Sequence, residues 1–168
     1  MTVIAVRKDP AALTMTVDAE FDATTERLWQ LWADPRQLER WWGPPTYPAT
    51  VDSHELRAGG RVAYHMTGPE GDQPKGFWEI DEADAPHSIV FRHGFANDDG
   101  SPNTEMPMHT FRVTIAEVGD GRARMSIASM FPDLEAMELL IGMGMEEGLR
   151  QAVGQIDAIL AENAVLSA

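Results

Sequence analysis

Residues 134–160 read LEAMELLIGMGMEEGLRQAVGQIDAIL, and this stretch decides the fold. Its apolar residues recur at Leu134, Met137, Ile141, Met145, Leu149, Ala152, Ile156 and Ile159. Steps of three or four keep them on one helix face. At 1.5 Å per residue, one helix from Leu134 to Leu160 is about 40 Å long, enough to cross a small domain. The face is rich in Met and interrupted by Gly142, Gly144, Gly148 and Gly154. A sheet curved around such a helix does not pack against it tightly everywhere, so the space between the two is where function is expected.

Upstream of this helix the periodicity is mostly two. His109, Phe111, Val113 and Ile115 alternate with Thr110, Arg112 and Thr114; after the turn Gly119-Asp120-Gly121, Ala123, Met125, Ile127 and Ser129 alternate with Arg124, Ser126 and Ala128. This is the pattern of a hairpin with one buried face. Further strands are predicted over Thr46–Leu56, around Val62, Tyr64 and Met66, over Gly76–Glu82, and over Ile89, Phe91, His93 and Phe95. Turn residues separate them at Arg57-Ala58-Gly59-Gly60, Gly68-Pro69-Glu70-Gly71-Asp72 and Asp84-Ala85-Pro86. The polar segment Ala96–Met106 reads as a mobile loop.

Near the start, residues 1–12 read as a loose segment and Leu13–Phe21 as a first strand. Thr24-Thr25-Glu26 opens a helix, since a hydroxyl cap and an early acid suit its unpaired N–H groups. Leu28, Leu31 and Trp32 supply its buried stripe. Asp34-Pro35 opens a second short helix, stopped by Trp41-Trp42-Gly43-Pro44-Pro45. Phe131-Pro132-Asp133 leads into the long helix with Asp133 as its cap. The order of strand, two short helices, six strands and long helix predicts an α+β antiparallel sheet with helices on one face, without repeats or a domain boundary.

A chain of 168 residues with 43% hydrophobic composition suits one domain, and at this size about 70% of the unfolded surface is buried on folding. The chain has no cysteine, which excludes a disulfide framework, a thiolate zinc site and a thiol nucleophile. No apolar run reaches the roughly 18 residues of a membrane span, and the opening MTVIAVRKDP holds no secretory hydrophobic segment. A soluble, cytoplasmic protein with no membrane insertion is expected. The formal charge of −14 repels nucleic acid and anionic surfaces, so no nucleic-acid partner is expected, and its bland role is solubility.

Four motifs carry a family likeness: the strand end Phe21-Asp22-Ala23, the corner Trp41-Trp42-Gly43-Pro44, the turn Glu55-Leu56-Arg57-Ala58-Gly59-Gly60-Arg61, and Gly144-Met145-Glu146-Glu147-Gly148 in the last helix. In order and spacing the chain resembles the SRPBCC (START/Bet v 1-like) superfamily. Within it, the chain is most similar to the homologues of the activator of heat-shock-protein-90 ATPase. The resemblance implies one helix-grip domain over residues 1–168, with a core over about 13–162, in which a curved antiparallel sheet wraps a long C-terminal helix. It also implies a cavity between the two, and a homodimer.

In that arrangement the candidate ligand-binding residues are Trp42, Tyr64, Trp78, Phe91, His93, His109, Phe111, Met125, Ser129, Met137, Ile141 and Met145, with Met66 also facing inward. A Met-rich apolar wall adapts to ligands of varied shape, and apolar walls with few polar groups typify small-molecule sites. The alternative for each residue is ordinary core packing. Trp41-Trp42 reads either as a ligand mouth or, preferably, as a seal between the short helices and the sheet. His93 and His109 fall on the apolar parity of neighbouring strands, where a neutral imidazole bonds a carbonyl or passes a proton. The alternative is a pair of internally satisfied histidines.

Two His without an aligned carboxylate make no metal site, and no cofactor is expected. Gly59-Gly60 lacks the Lys-Ser/Thr of a phosphate loop, no Gly-x-Ser-x-Gly elbow is present, and Glu146-Glu147 read as surface acids. No catalytic residue is assigned. The function expected is binding of a small hydrophobic molecule between sheet and helix. The alternatives are a cyclase/aromatase- or hydrolase-like enzyme using His93, His109 or Tyr64 as acid–base groups, and a module that docks on a chaperone or regulator.

Overall fold

The computed structural model describes residues 4–167, with side chains to residue 162. Eight strands form one antiparallel sheet: β1 (Ile4–Asp9), β2 (Thr14–Phe21), β3 (Ala49–His54), β4 (Arg61–Met66), β5 (Lys75–Asp84), β6 (Ser88–Ala96), β7 (His109–Gly119) and β8 (Arg122–Met130). Their spatial order is β1-β2-β8-β7-β6-β5-β4-β3. After β2 the chain crosses to the far edge through α1 (Thr25–Ala33) and α2 (Pro35–Trp41). It then meanders back until β8 pairs with β2, Val17 opposite Ile127.

Local chemistry sets the helix starts. Thr24 Oγ1 accepts from the Arg27 N–H at 3.1 Å, Asp34 Oδ1 from Arg36 N–H at 3.0 Å, and Asp133 Oδ1 from Ala136 N–H at 2.7 Å; each satisfies a donor that the first turn leaves free. The inward rows are those of the period-two reading. Met15, Val17, Ala19 and Phe21 of β2 and Ala123, Met125, Ile127 and Ser129 of β8 are all buried.

The structure corrects the sequence reading in three places. The segment read as a loose start contains β1, paired with β2 from Ile4 opposite Ala19 to Asp9 opposite Thr14; residues 1–3 lie outside the described residues. Ala96, read as the first residue of a loop, closes β6 and bridges Pro102, and Asn103 N–H donates to Phe95 O at 2.8 Å.

The third correction concerns the single long helix, which is an arm of three segments: α3 (Leu134–Gly142), α4 (Met145–Gly154) and α5 (Ile156–Ser167). Gly144 adopts φ +97°, a left-handed conformation that costs glycine little and a side-chain-bearing residue much. The Met143 N–H closes α3 on Leu139 O at 3.0 Å, and Gly144 O receives the Gly148 N–H at 2.9 Å to open α4. The break resets the helical phase. Ala136, Met137 and Leu140 turn inward on α3 while Leu134, read as the first inward residue, is 48% exposed. Gln155, between α4 and α5, anchors the arm: its Nε2 donates to Gly43 O at 2.7 Å, at the end of the Trp41-Trp42 corner. Taken together, these elements form the helix-grip fold, with the sheet's inner face turned to the C-terminal arm.

Candidate functional site

One end of the inner face is filled by aromatic rings. Trp78 of β5 stacks on Phe91 of β6 with centroids 4.1 Å apart and planes at 17°. Trp32 meets Trp41 edge-on at 4.7 Å, and Trp42 meets Trp78 edge-on at 4.8 Å. These edge-to-face pairings add to the burial of large rings. The Trp32 Nε1–H points at the sulfur of Met125, 3.2 Å away, and Trp41 Nε1–H donates to Leu31 O at 3.0 Å. Trp78, Phe91 and Met125, which the sequence offered as ligand contacts, therefore sit inside this packed cluster.

The other end is open. A hollow of about 260 Å³ lies between the sheet and the α3–α4 junction. On the sheet side it is lined by Trp42, Pro44, Tyr64, Met66, Phe95 and Phe111; on the arm side by Leu140, Met143, Gly144, Met145, Gly148 and Leu149. His93 and His109 complete the wall, and no Lys, Arg, Asp or Glu contributes to it. Six of the twelve candidates thus meet here: Trp42, Tyr64, His93, His109, Phe111 and Met145. Ser129, opposite Phe111 in the register, and Met137 are buried without lining the hollow, and Ile141 is half-buried on α3. The candidate list missed Leu140, Met143, Gly144, Gly148 and Leu149 on the arm; Leu149 was on the helix face already read as inward, and the others became wall when the α3–α4 break altered the helical phase.

The register explains how the polar groups converge. His93 of β6 lies directly opposite His109 of β7, with ring centroids 5.0 Å apart. Tyr64 reaches them from β4, one strand further away. It crosses β5 at Gly76, its partner in the register. A Cβ at Gly76 would stand 2.4 Å from the Tyr64 hydroxyl and 2.6 Å from its Cζ. Only glycine leaves room for the ring to lie over the strand, and Tyr64 Oη then stands 2.5 Å from His93 Nε2.

Burial keeps all three groups neutral. Loss of solvent raises the Tyr64 pKa to about 12; the Trp42 indole N–H works weakly against this, although Nε1 makes no hydrogen bond of proper geometry. His93 is held well below an ordinary imidazole, first by desolvation and then by His109. Desolvation lowers His109 to about 4. A phenol that retains its proton donates to His93 Nε2, which by this bonding pattern assigns the imidazole proton to Nδ1. That Nδ1, both nitrogens of His109 and the Ser129 hydroxyl oxygen are buried without a hydrogen-bond partner. Orphaned polar atoms this close together are rare in folded proteins and call for an explanation. Among the described residues, no three His, Asp or Glu gather in the manner of a metal site, and no helix is long and apolar enough to cross a membrane.

None of the curated proteins compared matches the chain. Solved structures do. Protein Ms6760 from Mycobacterium smegmatis is 47% identical, with 94% of this chain and 97% of that one aligned at a TM-score of 0.86. A protein from Arthrobacter aurescens, solved by NMR, is also 47% identical, over 94% and 91% of the two chains, with a TM-score of 0.90. DynU16, from the dynemicin biosynthetic locus, shares the fold at 17% identity over 89% of this chain and 47% of its own, with a TM-score of 0.66. The family model described as activator of Hsp90 ATPase homolog 1-like protein matches residues 22–161. That match includes α1, the tryptophan corner, every wall of the hollow and most of the C-terminal arm, and the chain belongs to this family of the SRPBCC superfamily.

Proposed function

We propose that this protein binds a small hydrophobic molecule in the hollow between β4–β7 and the α3–α4 junction. One observation carries the reading: an apolar space bounded by Trp42, Phe95, Phe111, Leu140 and Met145 sits directly beside a packed aromatic cluster. The chain has residues enough to fill the inner face at one end and leaves it open at the other. Ligand sites are concave, mostly apolar and largely preformed, with a few polar groups that orient the guest. At about 260 Å³ this one lies just below the roughly 300–1,000 Å³ range of drug-sized sites, which suits a compact guest.

Gly148 offers the test. It lines the hollow, and a Cβ there would meet nothing within 4 Å, while α4 tolerates any good helix former at that position. Gly148→Leu is expected to fold and to occupy the space itself. A panel of compact apolar compounds should raise the melting temperature of the native chain by mass action and leave that of Gly148→Leu unchanged. A panel that moves neither, or moves both equally, would count against the hollow as the site.

The Tyr64–His93 bond favours a second reading, acid–base catalysis on the same guest. Through this bond His93 Nδ1–H gives a proton to the guest as Nε2 takes one from the Tyr64 hydroxyl, and the reverse path restores both. Tyr64→Phe separates the two readings, because a carrier keeps its affinity to within a few-fold whereas an enzyme loses turnover with binding intact.

A further inference from the structure

We infer that the guest of this hollow is an uncharged molecule whose apolar body carries a hydroxyl or carbonyl group placed against His109. The inference rests on the reading of the hollow as a ligand site and adds the chemistry of its occupant.

His109 carries the argument. Its ring is fixed on two sides, stacked on Phe131 at 5.7 Å and edge-on to Phe111 at 4.6 Å. It is buried to 4% exposure, lines the hollow, and finds a partner for neither ring nitrogen. A neutral imidazole has one N–H donor and one lone-pair acceptor in either tautomer. A hydroxyl, which both donates and accepts, matches either of these unpaired nitrogens, and a carbonyl matches the N–H. A guest with no polar atom would leave both nitrogens without a partner.

Charge is excluded by the rest of the wall. No cationic or anionic side chain borders the space, and both imidazoles are held neutral by burial. A carboxylate or ammonium brought here would lose its hydration with no counter-charge to replace it. The Tyr64 hydroxyl is already committed to His93 Nε2; of the unpaired polar atoms on the wall residues, Trp42 Nε1 and His93 Nδ1 are one to a ring, and His109 alone has both nitrogens unpaired. This distinguishes the site from a fatty-acid pocket, where a basic side chain would meet the carboxylate.

Three probes of one shape test the inference: propylbenzene, 4-propylphenol and 4-propylbenzoate, titrated calorimetrically into the native chain at pH 7.5. The phenol is expected to bind about five- to tenfold more tightly than propylbenzene, the scale of one hydrogen bond. The benzoate should bind at least about tenfold more weakly than propylbenzene, since it buries an unpaired charge. In His109→Phe the advantage of the phenol should shrink to about twofold, with propylbenzene still bound.

Equal affinity of propylbenzene and the phenol would overturn the polar assignment while leaving the apolar hollow in place. Benzoate binding as tightly as the phenol would overturn the exclusion of charge. Failure of all three at millimolar concentration would overturn the ligand site itself. If His109→Phe does not fold, the native series still decides, because its three affinities are compared on one protein.

Discussion

The two ends of the inner sheet face share one alternation and reach opposite outcomes. At one end Trp32, Trp41, Trp78 and Phe91 interlock, and even the Trp32 indole N–H is taken up by a methionine sulfur. At the other, the same strands present His93, His109 and Tyr64 to an unfilled space, with several nitrogens unpaired. What differs is the partner layer. The filled end is covered by α1 and α2, which bring Trp32 and Trp41. The open end is covered by the α3–α4 junction, where Gly142, Gly144 and Gly148 supply no side chains. A fold keeps a hollow where its covering layer runs out of side-chain volume.

The contrast is most sharply broken by truncation. Trp78→Ala removes a ring that is wholly buried and should cost about 3–5 kcal/mol in denaturant unfolding, as large core deletions do. Met145→Ala, on the wall of the hollow, should cost no more than about 1 kcal/mol, because few packed contacts are lost there. Comparable losses at both positions would mean that the two ends are packed alike.

Acid should weaken the open end. An unfolded imidazole titrates near 6.5, whereas folded His109 titrates at about 4 and His93 is lowered as well. Between these values the unfolded chain binds more protons than the folded one, so the contribution is complete above pH 6.5 and declines as the pH falls towards 4. For His109 the decline amounts to roughly 3 kcal/mol. Urea midpoints measured from pH 7.5 to 4 should fall more steeply for the native chain than for His109→Phe.

Two glycines sharpen the comparison further. Gly76→Ala sets a methyl against the Tyr64 ring and should cost about 1–3 kcal/mol, the scale of overpacking. It should also displace Tyr64 from His93, read out as a shift of the His93 ring resonances. Gly148→Ala meets open space and should stabilise the helix by up to about 1 kcal/mol, detectable as a small rise in melting temperature.

Much of this architecture was legible in the residues. Strands β7 and β8 alternate cleanly because one face is core and the other mostly solvent, whereas β5 and β6 also bury Phe77 and Val90 on the other face; the capping residues Thr24, Asp34 and Asp133 mark their helices by chemistry alone. Strand β1 was not legible: in IAVRKD only Ile4 and Val6 turn towards the core, both half-buried, so an edge strand there looks like a polar tail. The arm's break was visible as glycines, but the apolar period ran through it, and periodicity does not record a left-handed residue. For the site, parity alone brought His93 and His109 to the same face. The Tyr64–His93 bond was hidden because it spans three strands and depends on a side chain that Gly76 lacks. Trp78, Phe91 and Met125 have the same inward parity as the wall residues, and parity does not say which part of an inner face is filled.

The account stands or falls on where a guest sits. Amide and side-chain resonances of the labelled protein, followed during titration with 4-propylphenol, give that position directly. The account predicts saturable shifts concentrated at Tyr64, His93, His109 and Gly144–Leu149, with Trp32, Trp41 and Ile89 unmoved. Shifts confined to the outer surface, or centred on the tryptophan cluster, would contradict it.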